Sequence, residues 1–99
     1  MTPRIAFAAL CLTGAATLSH AADPHLARNL AATCANCHGT DGRSMGGMEK
    51  LAGESRESML RKLREFQSGD KPATIMHQIA KGYTDEQLEL IADYFAVQR

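Results

Sequence analysis

Apolar residues in this chain recur mainly at helical spacing, and no stretch shows a convincing strand pattern. From residue 55 to residue 68, one helix face is apolar and the opposite face is strongly charged. The apolar face consists of Met59, Leu60, Leu63 and Phe66. We interpret the charged face as an ordinary solvated helix surface. Gly69 then provides a natural stop, so the pattern predicts a helix over residues 55–68.

The end of the chain predicts another helix, from Thr84 to about Val97. Thr84-Asp85-Glu86-Gln87 is a capping box, in which Thr84 is the N-cap and the Gln87 side chain reaches back. The helix carries two apolar stripes, one of Leu88, Ile91, Ala92 and Phe95 and one of Leu90, Tyr94 and Val97. A surface helix needs only one apolar face, so we expect this helix to lie between two packed bodies.

Two shorter stretches complete the predicted helices. Asp23 is a good N-cap and Pro24 suits the first helical position, so a first helix is expected to begin there and run into Cys34. A short helical turn is expected over residues 75–80, ending at Gly82. Together the four elements predict an all-α fold.

Residues 1–21 have the features of a secretory signal peptide. Arg4 supplies a basic start, residues 5–18 are apolar, and Ser19-His20-Ala21 places small residues where signal peptidase reads. Cleavage there would leave 99 − 21 = 78 residues, so we expect one domain over residues 22–99, exported to the periplasm. Without Arg4, 11 − 1 = 10 basic residues stand against 11 acidic ones. This balance, without a basic stripe, argues against a nucleic-acid or membrane-surface partner.

The most specific motif is Cys34-Ala35-Asn36-Cys37-His38, a Cys-x-x-Cys-His run typical of c-type haem attachment. Each cysteine can form a thioether with one vinyl group of the porphyrin, and the histidine is then held beneath the iron as its proximal ligand. A redox disulfide would require a strand–helix–strand context, which the pattern does not show. A zinc site would require further paired ligands, whereas His25 and His77 are isolated.

A covalent haem would also stabilise a domain that is small for a hydrophobic core of its own. The iron then needs a second axial ligand on a later segment. Met76 and His77 are the candidates, and neighbouring residues of a helix point about 100° apart, so only one can face the iron. Ile75 and Ile79 should mark the buried side, but their spacing alone does not separate the two candidates. Met45 and Met48 lie too close to His38 in sequence to serve easily.

Residues 22–99 resemble a class I cytochrome c: an N-terminal helix, the haem motif, a later methionine, and a C-terminal helix with Tyr94-Phe95. Within the class the chain is similar to the cytochrome c4 and c553 group. More narrowly, it is similar to the cytochrome subunit of flavocytochrome c sulfide dehydrogenase. The stretches that carry the resemblance are Cys37-His38-Gly39-Thr40, Phe66-Gln67-Ser68-Gly69, Thr74-Ile75-Met76 and Ile79-Ala80-Lys81-Gly82-Tyr83.

The resemblance implies one domain of about four helices wrapped around a single covalent haem c. In that family the methionine of the Thr-Ile-Met stretch ligates the iron, which implies Met76 rather than His77. It also implies one-electron transfer without catalysis by the chain itself, with a sulfide-oxidising flavoprotein as the partner. A free electron shuttle between other respiratory partners is the alternative. A gas sensor would need an open axial position, which a Met76 ligand would fill.

The chain departs from the class at three points. Residues 23–33 contain no glycine where the first and last helices usually cross, so Ala27 or Ala31 must allow the close approach. The first proline after the haem motif is Pro72, so the usual proline carbonyl that orients the proximal histidine is missing. The flavocytochrome subunit often carries two haem domains, whereas one Cys-x-x-Cys-His motif occurs here.

Overall fold

The computed structural model describes residues 23–99, together with Pro3. The predicted signal peptide and its cleavage site otherwise lie outside the described residues. Residues 23–99 form helices and connecting loops, with no strand among them. The helices are α1 (Leu26–Ala31), α2 (Ala35–His38), α3 (Arg56–Ser68), α4 (Met76–Lys81) and α5 (Asp85–Ala96). The prediction of an all-α fold is therefore confirmed.

The first two helices form one nearly continuous unit. A 3₁₀ turn over Ala32–Cys34 joins α1 to α2, and a second 3₁₀ turn follows at Thr40–Gly42. With this unit counted as one, the domain has four helical segments, as the sequence predicts. The cysteines and the histidine of the haem motif are thereby carried on helical backbone at the end of the first segment.

Local capping chemistry explains where the two long helices begin. The Ser55 hydroxyl accepts a hydrogen bond from the Ser58 N–H at the start of α3, and Gly69 ends that helix with a left-handed φ of 85°. At the start of α5, the Gln87 N–H donates to the Thr84 hydroxyl, and the Thr84 N–H donates to the Gln87 side chain. Both helix starts and the capping box are confirmed.

The predicted start of the first helix is wrong by about two residues. The helix begins at Leu26, with His25 as a cap that makes no side-chain hydrogen bond. The Asp23 carboxylate instead accepts a hydrogen bond from the His25 N–H, at 2.8 Å, and so caps a turn that precedes the helix. A short polar side chain caps turns as readily as helices, so its type alone does not fix the helix boundary.

The core forms where α5 packs against both α1 and α3. Ala31 on α1 and Ala92 on α5 are both almost completely buried, and small side chains at such a crossing let two helices approach closely. Ala31 therefore takes the place of the expected glycine. The stripe of Leu88, Ile91, Ala92 and Phe95 is buried as predicted. The second stripe is only partly covered, since Leu90 and Tyr94 are half-buried and Val97 is exposed.

The short helix α4 is held against α3 by a side-chain amide. The Gln67 amide nitrogen donates to the carbonyl oxygens of Ala80, at 2.9 Å, and Tyr83, at 3.3 Å. These two carbonyls belong to the last turn of α4 and the loop that follows it. The hydrogen bonds fix the position of α4, whose first residue is Met76.

Gly42 occupies a turn that a larger residue does not fit. Its φ is +75°, and a Cβ built there would lie 2.8 Å from both Phe95 Cδ1 and Leu51 Cβ. We expect Gly42→Ala to lower the free energy of unfolding by about 3 kcal/mol, because backbone strain and overpacking add. Denaturant unfolding of the haem-loaded protein measures the change. Gly46→Ala is the matched control, since nothing lies within 4 Å of its Cβ position, and equal losses in the two variants would contradict the prediction.

Candidate haem-binding site

A cavity of about 790 Å³ lies among the helices and the loop after the haem motif. This volume is in the range of sites that hold drug-sized ligands and cofactors. The walls are mainly apolar side chains, including Leu63 and Phe66 of α3 and Ile91 and Phe95 of α5. The polar or sulfur-bearing groups of the haem motif and α4 reach the same space: Cys34, Cys37, His38 and Met76 all line it. The structure thus brings together the four residues that the sequence singles out.

The imidazole of His38 is buried and has a fixed hydrogen-bond role. Its Nδ1 lies 2.6 Å from the backbone carbonyl oxygen of Glu49. A carbonyl oxygen can only accept, so Nδ1 carries the proton and donates it. The tautomer this selects leaves Nε2 as the nitrogen with a free lone pair, which is the form a metal ligand requires. The Glu49 carbonyl therefore supplies the acceptor that no proline provides.

Cys34 and Cys37 are three positions apart on helical backbone, so their side chains emerge on the same side. Both are free thiols; Cys34 is half-buried and Cys37 is exposed. Burial raises the pKa of the Cys34 thiol above its ordinary value. Two free thiols at the wall of one apolar cavity fit the double thioether attachment of a porphyrin.

Met76 and His77 have different environments, although they are neighbours. Met76 is half-buried, packs against the core and lines the cavity. Among the described residues that line the cavity, His77 does not occur. Its Nδ1 is buried and makes no hydrogen bond to any described residue. This arrangement favours Met76 as the second axial ligand, which stays a prediction.

Ile75 and Ile79 lie outside the buried core cluster, on the side of the α4 segment that faces the cavity. Their side chains are 53% and 37% exposed, and both line the cavity. They lie on its wall beside Met76, so the apolar side of α4 faces the site rather than the protein core. A planar apolar cofactor in the cavity would contact them, which accounts for their spacing.

Two other features of the site are not marked by any clear pattern in the sequence. The hydroxyl groups of Thr33 and Tyr83 lie 2.6 Å apart and join the residue before Cys34 to the loop between α4 and α5. Lys62, which the sequence places on a solvated helix face, forms ion pairs with Glu49 and Glu54 and lines the cavity. Hydrogen bonds to Glu49 and then to Glu54 raise the pKa of Lys62.

Two features are absent from the described part of the chain. In residues 23–99, no three His, Cys, Asp or Glu side chains are grouped so as to hold a metal ion, which the zinc alternative would require. No helix in the same residues is both long enough and apolar enough to cross a membrane.

Comparison with known proteins points to the same cofactor. A model of the cytochrome c family matches residues 26–96. The chain is 44% identical over 66 residues to the cytochrome subunit of sulfide dehydrogenase of Chlorobaculum tepidum, covering 67% of this chain and 60% of that protein. It is 36% identical over 92 residues to cytochrome c4 of Pseudomonas aeruginosa, covering 91% and 44%.

A third relative is the thiosulfate dehydrogenase electron acceptor of Stutzerimonas stutzeri, 36% identical over 64 residues, with 63% of this chain and 30% of the relative covered. The chain thus spans 60% or less of the length of these three relatives. The relatives are electron carriers or the cytochrome subunit of a dehydrogenase rather than catalysts themselves. The family binds haem c covalently through a Cys-x-x-Cys-His motif, and Cys34 and Cys37 have that spacing. The chain therefore belongs to the cytochrome c family, and residues 34–38 carry that family's haem-attachment motif.

Proposed function

We propose that this chain is a periplasmic cytochrome that accepts single electrons from a sulfide-oxidising flavoprotein. Cys34 and Cys37 hold the haem through thioethers, and His38 and Met76 are the axial ligands of its iron. The observation that carries the proposal is that all four side chains line one apolar cavity. The predicted signal peptide over residues 1–21 supports export, and this class of cytochrome matures outside the cytoplasm.

The residues around the cavity define what the site can do. Bound haem supplies a one-electron Fe(II)/Fe(III) couple. His38, held by the Glu49 carbonyl, presents a neutral imidazole nitrogen, and Met76 presents a soft thioether. Haem iron held by both side chains would have no position left for a substrate. The apolar walls disfavour added positive charge, so they raise the reduction potential, as methionine ligation also does.

The flavoprotein partner is supported by similarity and by an exposed surface. The relative from Chlorobaculum tepidum is named a cytochrome subunit of sulfide dehydrogenase. Met48 lines the cavity and is 46% exposed, and Met45 is 99% exposed on the same loop. Exposed methionines adapt their shape to a partner, so this loop beside the cavity suits a docking surface.

Reduction of the purified cytochrome by sulfide, with and without the candidate flavoprotein, tests the partner. We expect reduction to depend on the flavoprotein. Its rate should fall by about tenfold or more in Met45→Glu or Met48→Glu, because the new carboxylate would lose its water when the partner covers it. Val97→Glu is the matched control, since Val97 is 73% exposed and lies at the end of α5. If a co-encoded flavoprotein neither binds nor accelerates reduction, the partner assignment is wrong.

A free shuttle is the second candidate, favoured by the relative named as an electron acceptor of thiosulfate dehydrogenase. A transient shuttle should bury less than about 1,200 Å² with its partner and dissociate readily at raised salt. A permanent subunit should bury a larger and more apolar surface and co-purify with the flavin. Size-exclusion chromatography of the mixed proteins at low and high salt separates the two candidates.

A further inference from the structure

Lys62 lies between two carboxylates at the edge of the cavity. Its Nζ is 2.5 Å from Glu49 Oε1 and 2.5 Å from Glu54 Oε1. The side chain is only 24% exposed, although the sequence places it among the solvated charges of α3. The same Glu49 accepts the His38 hydrogen bond through its backbone carbonyl. Lys62 is therefore connected to His38 through one intervening residue.

The segment that contains Glu49 has little structure of its own. Residues 43–55 connect the second 3₁₀ turn to α3 without a helix or strand. They include Gly46, Gly47 and Gly53 and no proline. Several contacts hold the segment near Glu49, among them a hydrogen bond from the Gly53 N–H to the Phe95 carbonyl. On one side, the Leu51 and Ala52 N–H groups donate to the Gly42 carbonyl. On the other side, the Glu49 carboxylate pairs with Lys62.

The Lys62 ammonium is also held by its second partner, Glu54. The Glu54 side chain is 14% exposed, and it accepts a hydrogen bond from the Ser58 hydroxyl at 2.9 Å. A single exposed ion pair contributes little, but a lysine shared by two carboxylates, one of them fixed and mostly buried, forms a network. The network ties the Glu49 side chain to helix α3, which carries both Lys62 and Ser58.

We propose that Lys62 is a positioning residue for the proximal histidine. Its ion pair fixes Glu49, and the Glu49 carbonyl thereby stays within hydrogen-bond reach of His38 Nδ1. In many class I cytochromes the carbonyl of a rigid proline orients the proximal histidine. Here the ion pair of Lys62 would hold the Glu49 carbonyl in that role. The inference rests on the proposed ligation of the iron by His38.

A positioning role and a plain charge effect move the reduction potential in opposite directions. Loss of a positive charge near the iron favours the more positive Fe(III) state and lowers the potential. A weaker hydrogen bond from Nδ1 makes His38 a less basic ligand, which disfavours Fe(III) and raises the potential. The sign of the change relative to a charge control therefore separates the two effects.

The test compares Lys62→Met, Lys62→Arg and Lys50→Met in the haem-loaded protein. Lys50 is the matched control, because it is exposed and adjoins Glu49 in the chain, and the residues described give it no ion pair. The first readout is the exchange rate of the His38 Nδ1 proton with water in the reduced protein, measured by nitrogen-15 NMR. The second readout is the reduction potential.

We expect the proton to exchange about fivefold faster in Lys62→Met, because loss of the network makes local opening easier. The rate should stay within twofold of wild type in Lys62→Arg, which keeps the charge, and in Lys50→Met. The potential of Lys62→Met should lie at or above that of Lys50→Met.

Unchanged exchange in Lys62→Met, or a potential further below wild type than in Lys50→Met, would overturn the positioning role and leave the ammonium a simple charge. If instead the unsubstituted protein shows no iron-bound His38, the proposed ligation is wrong. That outcome needs no variant to detect. The two failures are thereby distinguishable.

Discussion

Replacement of both Cys34 and Cys37 by alanine is expected to abolish covalent haem and most of the folded protein. A domain of this size gains only about 3–5 kcal/mol of stability from its own core. Loss of a bound group that fills the cavity therefore removes most of the free energy that keeps the domain folded. Because Leu63, Phe66 and Phe95 line that cavity, the fold depends on apolar contacts that the haem completes. Circular dichroism measures the fold, and haem staining after acid–organic extraction measures attachment.

Single replacements provide the graded control for the double variant. Cys34→Ala and Cys37→Ala should each retain at most one thioether, with lower yield and an altered spectrum. Protein matured in a haem-ligating host should keep its haem through denaturation when both cysteines are present. Haem that extracts freely from the unsubstituted protein would show that the motif does not attach it.

Met76→Ala is expected to lower the reduction potential by more than about 60 mV, a change above tenfold in the Fe(II)/Fe(III) equilibrium. The thioether favours the reduced iron, and its loss lets water or an added ligand such as imidazole occupy the sixth position. The oxidised unsubstituted protein should show the weak far-red band of a methionine–iron(III) bond. Redox titration and absorption spectra of the same samples record both effects.

His77→Ala is the matched control for that substitution, since it changes the neighbouring residue of the same helix. We expect its far-red band and potential to remain close to those of the unsubstituted protein. An absent band together with a spectrum that responds to His77→Ala would assign the sixth position to His77 instead.

Features that depend on short-range chemistry could be predicted from the sequence. The Thr84–Gln87 capping box and the Gly69 stop each act within four residues, so their partners are visible in the order of the chain. Asp23 shows the limit of such reasoning, because a carboxylate two residues earlier caps a turn equally well. The Cys-x-x-Cys-His motif is likewise local, and its residues do line one cavity.

Features that depend on backbone groups or on distant side chains could not be predicted. The acceptor for His38 is a carbonyl, which every residue possesses, so nothing in the sequence marks Glu49 for that role. Lys62 has the composition of a solvated face and acquires its partners only when the loop folds onto α3. Spacing alone could not separate Met76 from His77, whereas the cavity does distinguish their surroundings.

The packing of α1 against α5 has a kinetic consequence. Ala31 and Ala92, both buried in the core cluster, are 92 − 31 = 61 positions apart in the chain. Bringing such distant segments together costs loop-closure entropy before any contact compensates for it, and non-local contacts of this kind slow folding. Individual helices form in about a microsecond or less. The rate at which residues 23–99 fold should therefore be set by the encounter of α1 and α5.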